Sequence, residues 1–149
     1  MPKVLIILGS ESDREYAKIC QEQLAVLGIT GDIQVSSAHR DPQKTGELTG
    51  QAEKKGYEVI VAMAGLSAAL PGVAAAHSDL PVIGVPIPAA LEGLDSLLSI
   101  VQMPPGIPVA AVAIGKPGAK NAAVLAARIL ALKHSDVKEA LIRHRESLK

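Results

Sequence analysis

Aromatic side chains are almost missing from this sequence of 149 residues, which has no Phe, no Trp and only Tyr16 and Tyr57. Stacking on bases is therefore excluded as a mode of recognition, and with it the platforms that hold single-stranded nucleic acid. Fifteen Lys and Arg balance fifteen Asp and Glu, so the positive excess of a phosphate-tracking protein is absent too, and no nucleic-acid partner is expected. The single cysteine, Cys20, rules out an intrachain disulfide and a multi-cysteine zinc site. No H-x-x-x-H spacing, G-x-G-x-x-G, G-x-x-x-x-G-K-[ST] or G-x-S-x-G occurs. Metal, dinucleotide, ATP and serine-hydrolase chemistry thus lack a motif, and no metal or cofactor is expected. No secretory leader is read before Lys3, where a β-type run begins at once, so the cytoplasm is the expected compartment.

Charge is scarce in the middle of the chain. Between Val59 and Gly115 only Asp79, Glu92 and Asp95 are charged. The stretches Val59–Ser78 and Ser96–Gly115 have the length of membrane spans, but Gly65, Pro71, Gly72 and His77 interrupt the first and Pro104, Pro105 and Pro108 the second. No membrane span is expected; burial at the centre of an oligomer is the better reading. Alanine is what the sequence has in abundance, 23 residues of it. Small side chains bury little area each but let backbones approach closely, and a small domain so built gains stability from partner subunits.

Short apolar runs alternate with helical stretches. Lys3–Leu8 reads as a strand covered on both faces. Ser12-Asp13-Arg14-Glu15 reads as a capping box for a helix that runs to about Leu27 and stops at Gly28. Ile29–Ser36 is a second strand, and Asp41-Pro42 opens a helix ending near Lys55-Gly56. Val59–Met63 is a third strand, followed by the turn Ala64–Ser67 and an alanine-rich helix. A fourth strand lies within Pro81–Pro86, a short helix over Leu94–Ile100 and a fifth strand over Val109–Ile114. After a loop, Gly115–Lys120, come helices Asn121–Lys133 and Asp136–Leu148. This order predicts one α/β domain over residues 1–149, a flavodoxin-like three-layer sandwich. Its five-stranded parallel sheet carries helices on both faces, and the helix at about 136–148 is an extension.

In such folds ligands bind beyond the carboxyl ends of the strands, near a switch point in strand order. Three segments follow the first three strands: Gly9–Asp13, Ser36–Arg40 and Ala64–Ser67. All are rich in small residues, so backbone N–H groups can approach a ligand. Ser10, Ser12 and Asp13 suit an anion or a sugar, with helix capping alone as the competing reading. His39 and Arg40 carry more weight. An imidazole exchanges protons near neutral pH and a guanidinium grips phosphate with paired hydrogen bonds; an ordinary solvated turn is the alternative. His134 and His144 read as parts of a solvated helix face, and Cys20 as a packing residue. A cofactor-free site for a small phosphorylated ligand remains.

Gly9-Ser10-Glu11-Ser12-Asp13 matches G-S-x-S-D, and Ser37-Ala38-His39-Arg40 matches S-A-H-R. The block Gly93–Val109, GLDSLLSIVQMPPGIPV, is matched at length, with Asn121-Ala122-Ala123 after it. On these residues the chain resembles the 5-(carboxyamino)imidazole ribonucleotide mutases, class I-like members of the phosphoribosylaminoimidazole carboxylase family of purine biosynthesis. The resemblance reaches to about Leu132. It implies a flavodoxin-like homo-octamer with sites at subunit contacts. The reaction it implies moves a carboxylate from the exocyclic nitrogen to ring carbon four of aminoimidazole ribonucleotide, through trapped CO2 and without metal or cofactor. By position, His39 would be the general acid and base, Arg40 would bind the phosphate, and Ser10 and Asp13 the ribose-phosphate end. Ser12, Ser37, Gly65, Ser67, Ala69 and Leu70 would complete the substrate contacts. One departure stands out: the mutases carry A-G-G-A-A-H-L-P-G after the third strand, and here Ala69 replaces that histidine. Ser67, Ala69 and Leu70 match a sister branch that carboxylates aminoimidazole ribonucleotide with free CO2, whereas Arg40 and Gln102–Gly106 match the mutases. The mutase is the leading expectation and the CO2-dependent carboxylase the alternative. A non-catalytic nucleotide-binding paralogue is the third.

Overall fold

The computed structural model describes all residues from Met1 to Lys149. Five strands, β1 (Lys3–Leu8), β2 (Thr30–Val35), β3 (Tyr57–Gly65), β4 (Val82–Ile87) and β5 (Ala110–Ala111), form one sheet in the order β2-β1-β3-β4-β5. Every pairing is parallel. Six α-helices connect and follow the strands: α1 (Arg14–Val26), α2 (Pro42–Gly50), α3 (Leu70–His77), α4 (Leu94–Val101), α5 (Lys116–Leu130) and α6 (Ser135–Ser147). This is the flavodoxin-like α/β sandwich, and its strand order reverses direction between β1 and β3.

Burial explains why the strands read as unbroken apolar runs. Val4, Ile6 and Leu8 enter a core shared with α1, α5 and α6, while Leu5 and Ile7 enter a second core beneath α3 and α4. All five side chains are fully buried, and fully burying a Leu or Ile contributes about 1.5–3 kcal/mol. The alanines act differently. Ala119, Ala122, Ala123, Ala126 and Ala127 form one buried stripe on α5, which lets that helix pack closely against Ala17, Cys20 and Leu24 of α1. Val137 and Ala140 of α6 belong to the same core. No helix is long and apolar enough to cross a membrane.

Several local expectations are corrected. Ser12 does not open a capping box, because Glu15 pairs with Lys116 at 2.8 Å instead. The cap is Ser10, whose hydroxyl accepts from the Ser12 N–H at 3.4 Å ahead of a single 3₁₀ turn, Glu11–Asp13. Gly115–Lys120 is not a loop, since α5 starts at Lys116. Pro117 suits a first helical turn, and Gly118 permits the close approach: a Cβ there would lie 1.6 Å from the Ala113 carbonyl oxygen. β5 covers two residues rather than Val109–Ile114. Its neighbour β4 carries Pro86, whose carbonyl accepts from the Gly115 N–H at 2.8 Å but which has no N–H to donate toward that edge. β3 is longer than expected and takes in Ala64 and Gly65. The helix after Asp41 stops at Gly50, and a 3₁₀ turn, Glu53–Lys55, completes it.

Candidate functional site

At the carboxyl ends of β1, β2, β3 and β4 lies a cavity of about 650 Å³. The loop after β1 contributes Gly9, Ser10, Ser12 and Asp13; the loop after β2 contributes Ser37, Ala38, His39 and Arg40. The end of β3 and the turn into α3 add Ala64 through Leu70, and β4 adds Ile87, Pro88 and Ala89. All ten residues singled out in the sequence therefore line one space, although they come from three separate segments. Ile87 at the end of β4, with Pro88 and Ala89 after it, lies outside the three segments read from the sequence. The rule that ligands sit beyond strand ends would have found them, but Ile87-Pro88-Ala89 carries no reactive group to draw attention.

Local hydrogen bonds shape each wall. The Ser10 and Ser12 hydroxyls are 3.0 Å apart, so the first loop presents a pair of hydroxyls together. Asp13 is half-buried, and burial pushes its carboxyl above the ordinary carboxylate value. In the second loop the Arg40 N–H donates to the Ser37 hydroxyl at 3.1 Å and the Asp41 N–H to the Ser37 carbonyl at 2.9 Å. Asp41 in turn caps α2 by accepting from the Lys44 N–H at 3.1 Å. That tight turn leaves the side chains of His39 and Arg40 exposed at the cavity wall. In the third loop the Ala68 N–H donates to the Leu66 carbonyl at 2.9 Å and the Ala69 N–H to the Ser67 carbonyl at 2.7 Å. Leu66 there has φ of +54°, a region that disfavours any residue with a Cβ.

The other histidines lie elsewhere. His77 donates from Nδ1 to the Val73 carbonyl at 2.9 Å, within α3. His134, read as solvated, is instead half-buried: its Nε2 lies 2.8 Å from Oε1 of Glu58 at the start of β3. Burial raises the Glu58 carboxyl, but hydrogen bonds from Lys133 and His134 outweigh it and bring the net value below the ordinary one. His144 lines a small groove between α5 and α6. Cys20 is buried, and burial pushes its thiol up to about 12, so it packs rather than reacts. No three His, Cys, Asp or Glu side chains are gathered to hold a metal.

The family model described as AIR carboxylase matches residues 3–149. Among curated proteins, the chain is 52% identical to the N5-carboxyaminoimidazole ribonucleotide mutase of Saccharolobus solfataricus, covering all of this chain and 94% of that one. It is 54% identical to the protein of the same name from Pyrococcus abyssi, covering all of this chain and 85% of that one. Among solved structures, Treponema denticola PurE superposes with a TM-score of 0.89 at 31% identity, covering 99% of this chain and 91% of that one.

Proposed function

This chain belongs to the AIR carboxylase family, and we propose that it interconverts 5-carboxyaminoimidazole ribonucleotide and 4-carboxy-5-aminoimidazole ribonucleotide in purine biosynthesis. One observation carries this reading beyond the family: Ser10, Asp13, His39 and Arg40, drawn from two loops distant in sequence, line one cavity with the small-residue turn after β3. Arg40 anchors the phosphate with paired, charge-assisted hydrogen bonds. Ser10, Ser12 and Asp13 hold the ribose-phosphate end, the carboxylate accepting from hydroxyls and the serines donating. Ser37 and the turn from Gly65 through Ser67 and Ala69 to Leu70 enclose the base.

His39 moves the protons. Protonated, it donates to the exocyclic nitrogen as the N–C bond of the carbamate breaks, which leaves an amine and CO2. Ring carbon four then attacks CO2, and the proton on that carbon passes to the same imidazole. The histidine ends as it began, and no redox partner or cofactor is needed. Holding CO2 beside the ring replaces a bimolecular encounter by an oriented one, which is where the rate advantage lies.

The active assembly in this reading is a homo-octamer, working in the cytoplasm. Leu94, Leu98 and Val101 on α4, with Leu91 just before it, support it, because they leave apolar side chains exposed, and a cluster of exposed apolar side chains suits a subunit contact. The test offers the purified protein each substrate separately. Rapid conversion of the carboxyamino compound at low bicarbonate is the expected result. Activity only with aminoimidazole ribonucleotide, rising with CO2, would overturn it in favour of the carboxylase that Ser67, Ala69 and Leu70 resemble.

A further inference from the structure

A groove of about 310 Å³ runs between α5 and α6, away from the cavity at the strand ends. Val124 of α5 and Leu141 of α6 line it and pack, half-buried, against the core. Ile142 and Leu148, 58% and 70% exposed, carry that apolar surface outward. Arg128, Lys138 and Arg145 also line the groove and are exposed. None of these three cations takes part in an ion pair. Glu139 and Glu146 of α6 pair instead with Arg143 at 4.0 Å and Lys149 at 3.0 Å, and no acidic side chain lines the groove. In a chain whose charges balance overall, this is a local positive excess beside exposed apolar surface.

Charge and spacing say what fits there. A second copy meeting the groove through a two-fold contact presents the same patch, so three cations would face three cations, which opposes association. The exposed leucines of α4 belong to the other face of the sheet, and a copy seated on them leaves this groove open. Carboxylates are the complement the groove lacks. Lys138 and Arg145 are seven residues apart on α6, and so are Leu141 and Leu148, two helical turns or about 10 Å in each case. A partner helix whose apolar residues recur at the same interval matches that repeat.

We propose that the α5–α6 groove docks an acidic amphipathic helix of a second protein. The helix lays its apolar side chains on Val124, Leu141, Ile142 and Leu148. Its carboxylates meet Arg128 on the α5 side and Lys138 and Arg145 on the α6 side. Apolar burial supplies most of the affinity, while the exposed charge pairs select the partner and speed its approach. The groove shares no residue with the cavity that holds His39 and Arg40, so docking leaves the ribonucleotide site accessible and does not depend on the reaction proposed above.

The experiment titrates the full chain into two fluorescent helical peptides of about fifteen residues, both with leucine at the core positions of two heptads. One carries glutamate beside the leucines and the other lysine. Fluorescence anisotropy is expected to show the glutamate peptide binding at least about tenfold more tightly, with the difference shrinking as salt is added. Arg145→Glu is expected to weaken the glutamate peptide about tenfold, and the Arg128→Glu, Arg145→Glu double variant to prefer the lysine peptide. Arg143→Glu, a reversal outside the groove, is expected to leave the affinity within about twofold of the wild type. All three positions are exposed, and matching thermal midpoints show that the variants fold. Equal affinity for the two peptides, or no binding of the glutamate peptide, overturns the proposal. So does Ile142→Ser or Arg145→Glu changing the particle size in light scattering, because the occupant is then a second copy of this chain.

Discussion

The Ser36 hydroxyl, at the end of β2, lies 2.6 Å from the Thr45 hydroxyl inside α2, and both residues are buried. Thr45 also reaches the Asp41 carbonyl at 3.1 Å, so the arrangement that satisfies both has Ser36 donating to Thr45 and Thr45 donating to Asp41. This bond closes a ring whose other side is the turn Ser37–Arg40, and it fixes where His39 and Arg40 emerge. Thr45→Val keeps the shape and strands the Ser36 hydroxyl. A buried hydroxyl without a partner costs about 1–3 kcal/mol, and that loss is expected in denaturant unfolding. kcat/KM should fall as well, although neither residue lines the cavity. Adding Ser36→Ala to Thr45→Val should recover part of the stability, because it removes the stranded donor. No stability difference between wild type and Thr45→Val would show that the ring does not brace the turn.

In the proposed reaction His39 and Arg40 are neighbours with separable work. His39→Asn keeps a side chain of similar reach but no base, so turnover should fall by a factor of at least about a hundred, the usual worth of general acid–base catalysis. Affinity for the ribonucleotide should stay within about threefold of the wild type on the same scale. Arg40→Ala should do the reverse, weakening binding by about 1.5–3 kcal/mol if it removes a charged hydrogen bond to phosphate. Isothermal titration with product and steady-state rates on both variants distinguish the two roles. Full turnover in His39→Asn would remove the proton-transfer scheme, and unchanged affinity in Arg40→Ala would remove the phosphate clamp.

Much of the site was legible because strand ends are legible. Lys3–Leu8 and Val59–Met63 are runs that only a doubly covered strand explains, so the segments just after them had to meet at one edge of the sheet. What the residues could not disclose was local competition. Glu15 suits a capping box in sequence, yet Lys116, a hundred positions away in the chain, takes its carboxylate. Gly118 looks like part of a flexible loop, yet it is a helix residue pressed on the Ala113 carbonyl. His134 sits in a charged region and would pass for solvated, but Glu58 of a distant strand reaches it. The positive φ of Leu66 likewise has no local signature, since leucine is not a residue chosen for that region. Each of these depends on a partner or a backbone angle that the linear pattern does not carry.

Asp13 connects the site to stability through pH. Burial raises its carboxyl above the ordinary value of 3.8, so between 3.8 and the raised value the folded chain holds more protons than the unfolded one. Unfolding free energy therefore declines as pH rises through that window, and above it the penalty of the charged, part-buried carboxylate is present in full. Asp13→Asn removes the charge. It is expected to raise the thermal midpoint at pH 7, with the gain shrinking as pH falls and gone below 3.8, where the wild-type carboxyl is neutral in both states. The same change should weaken ribonucleotide binding about tenfold, the worth of one charge-assisted hydrogen bond. Melting curves of both proteins across the carboxylate range, with product titrations at pH 7, check both effects. A gain independent of pH would mean that the carboxylate is not what burial penalises. A variant less stable than wild type at pH 7 would mean that the folded chain uses the charge, and that Asp13 is a structural anchor instead of a group held ready for a ligand.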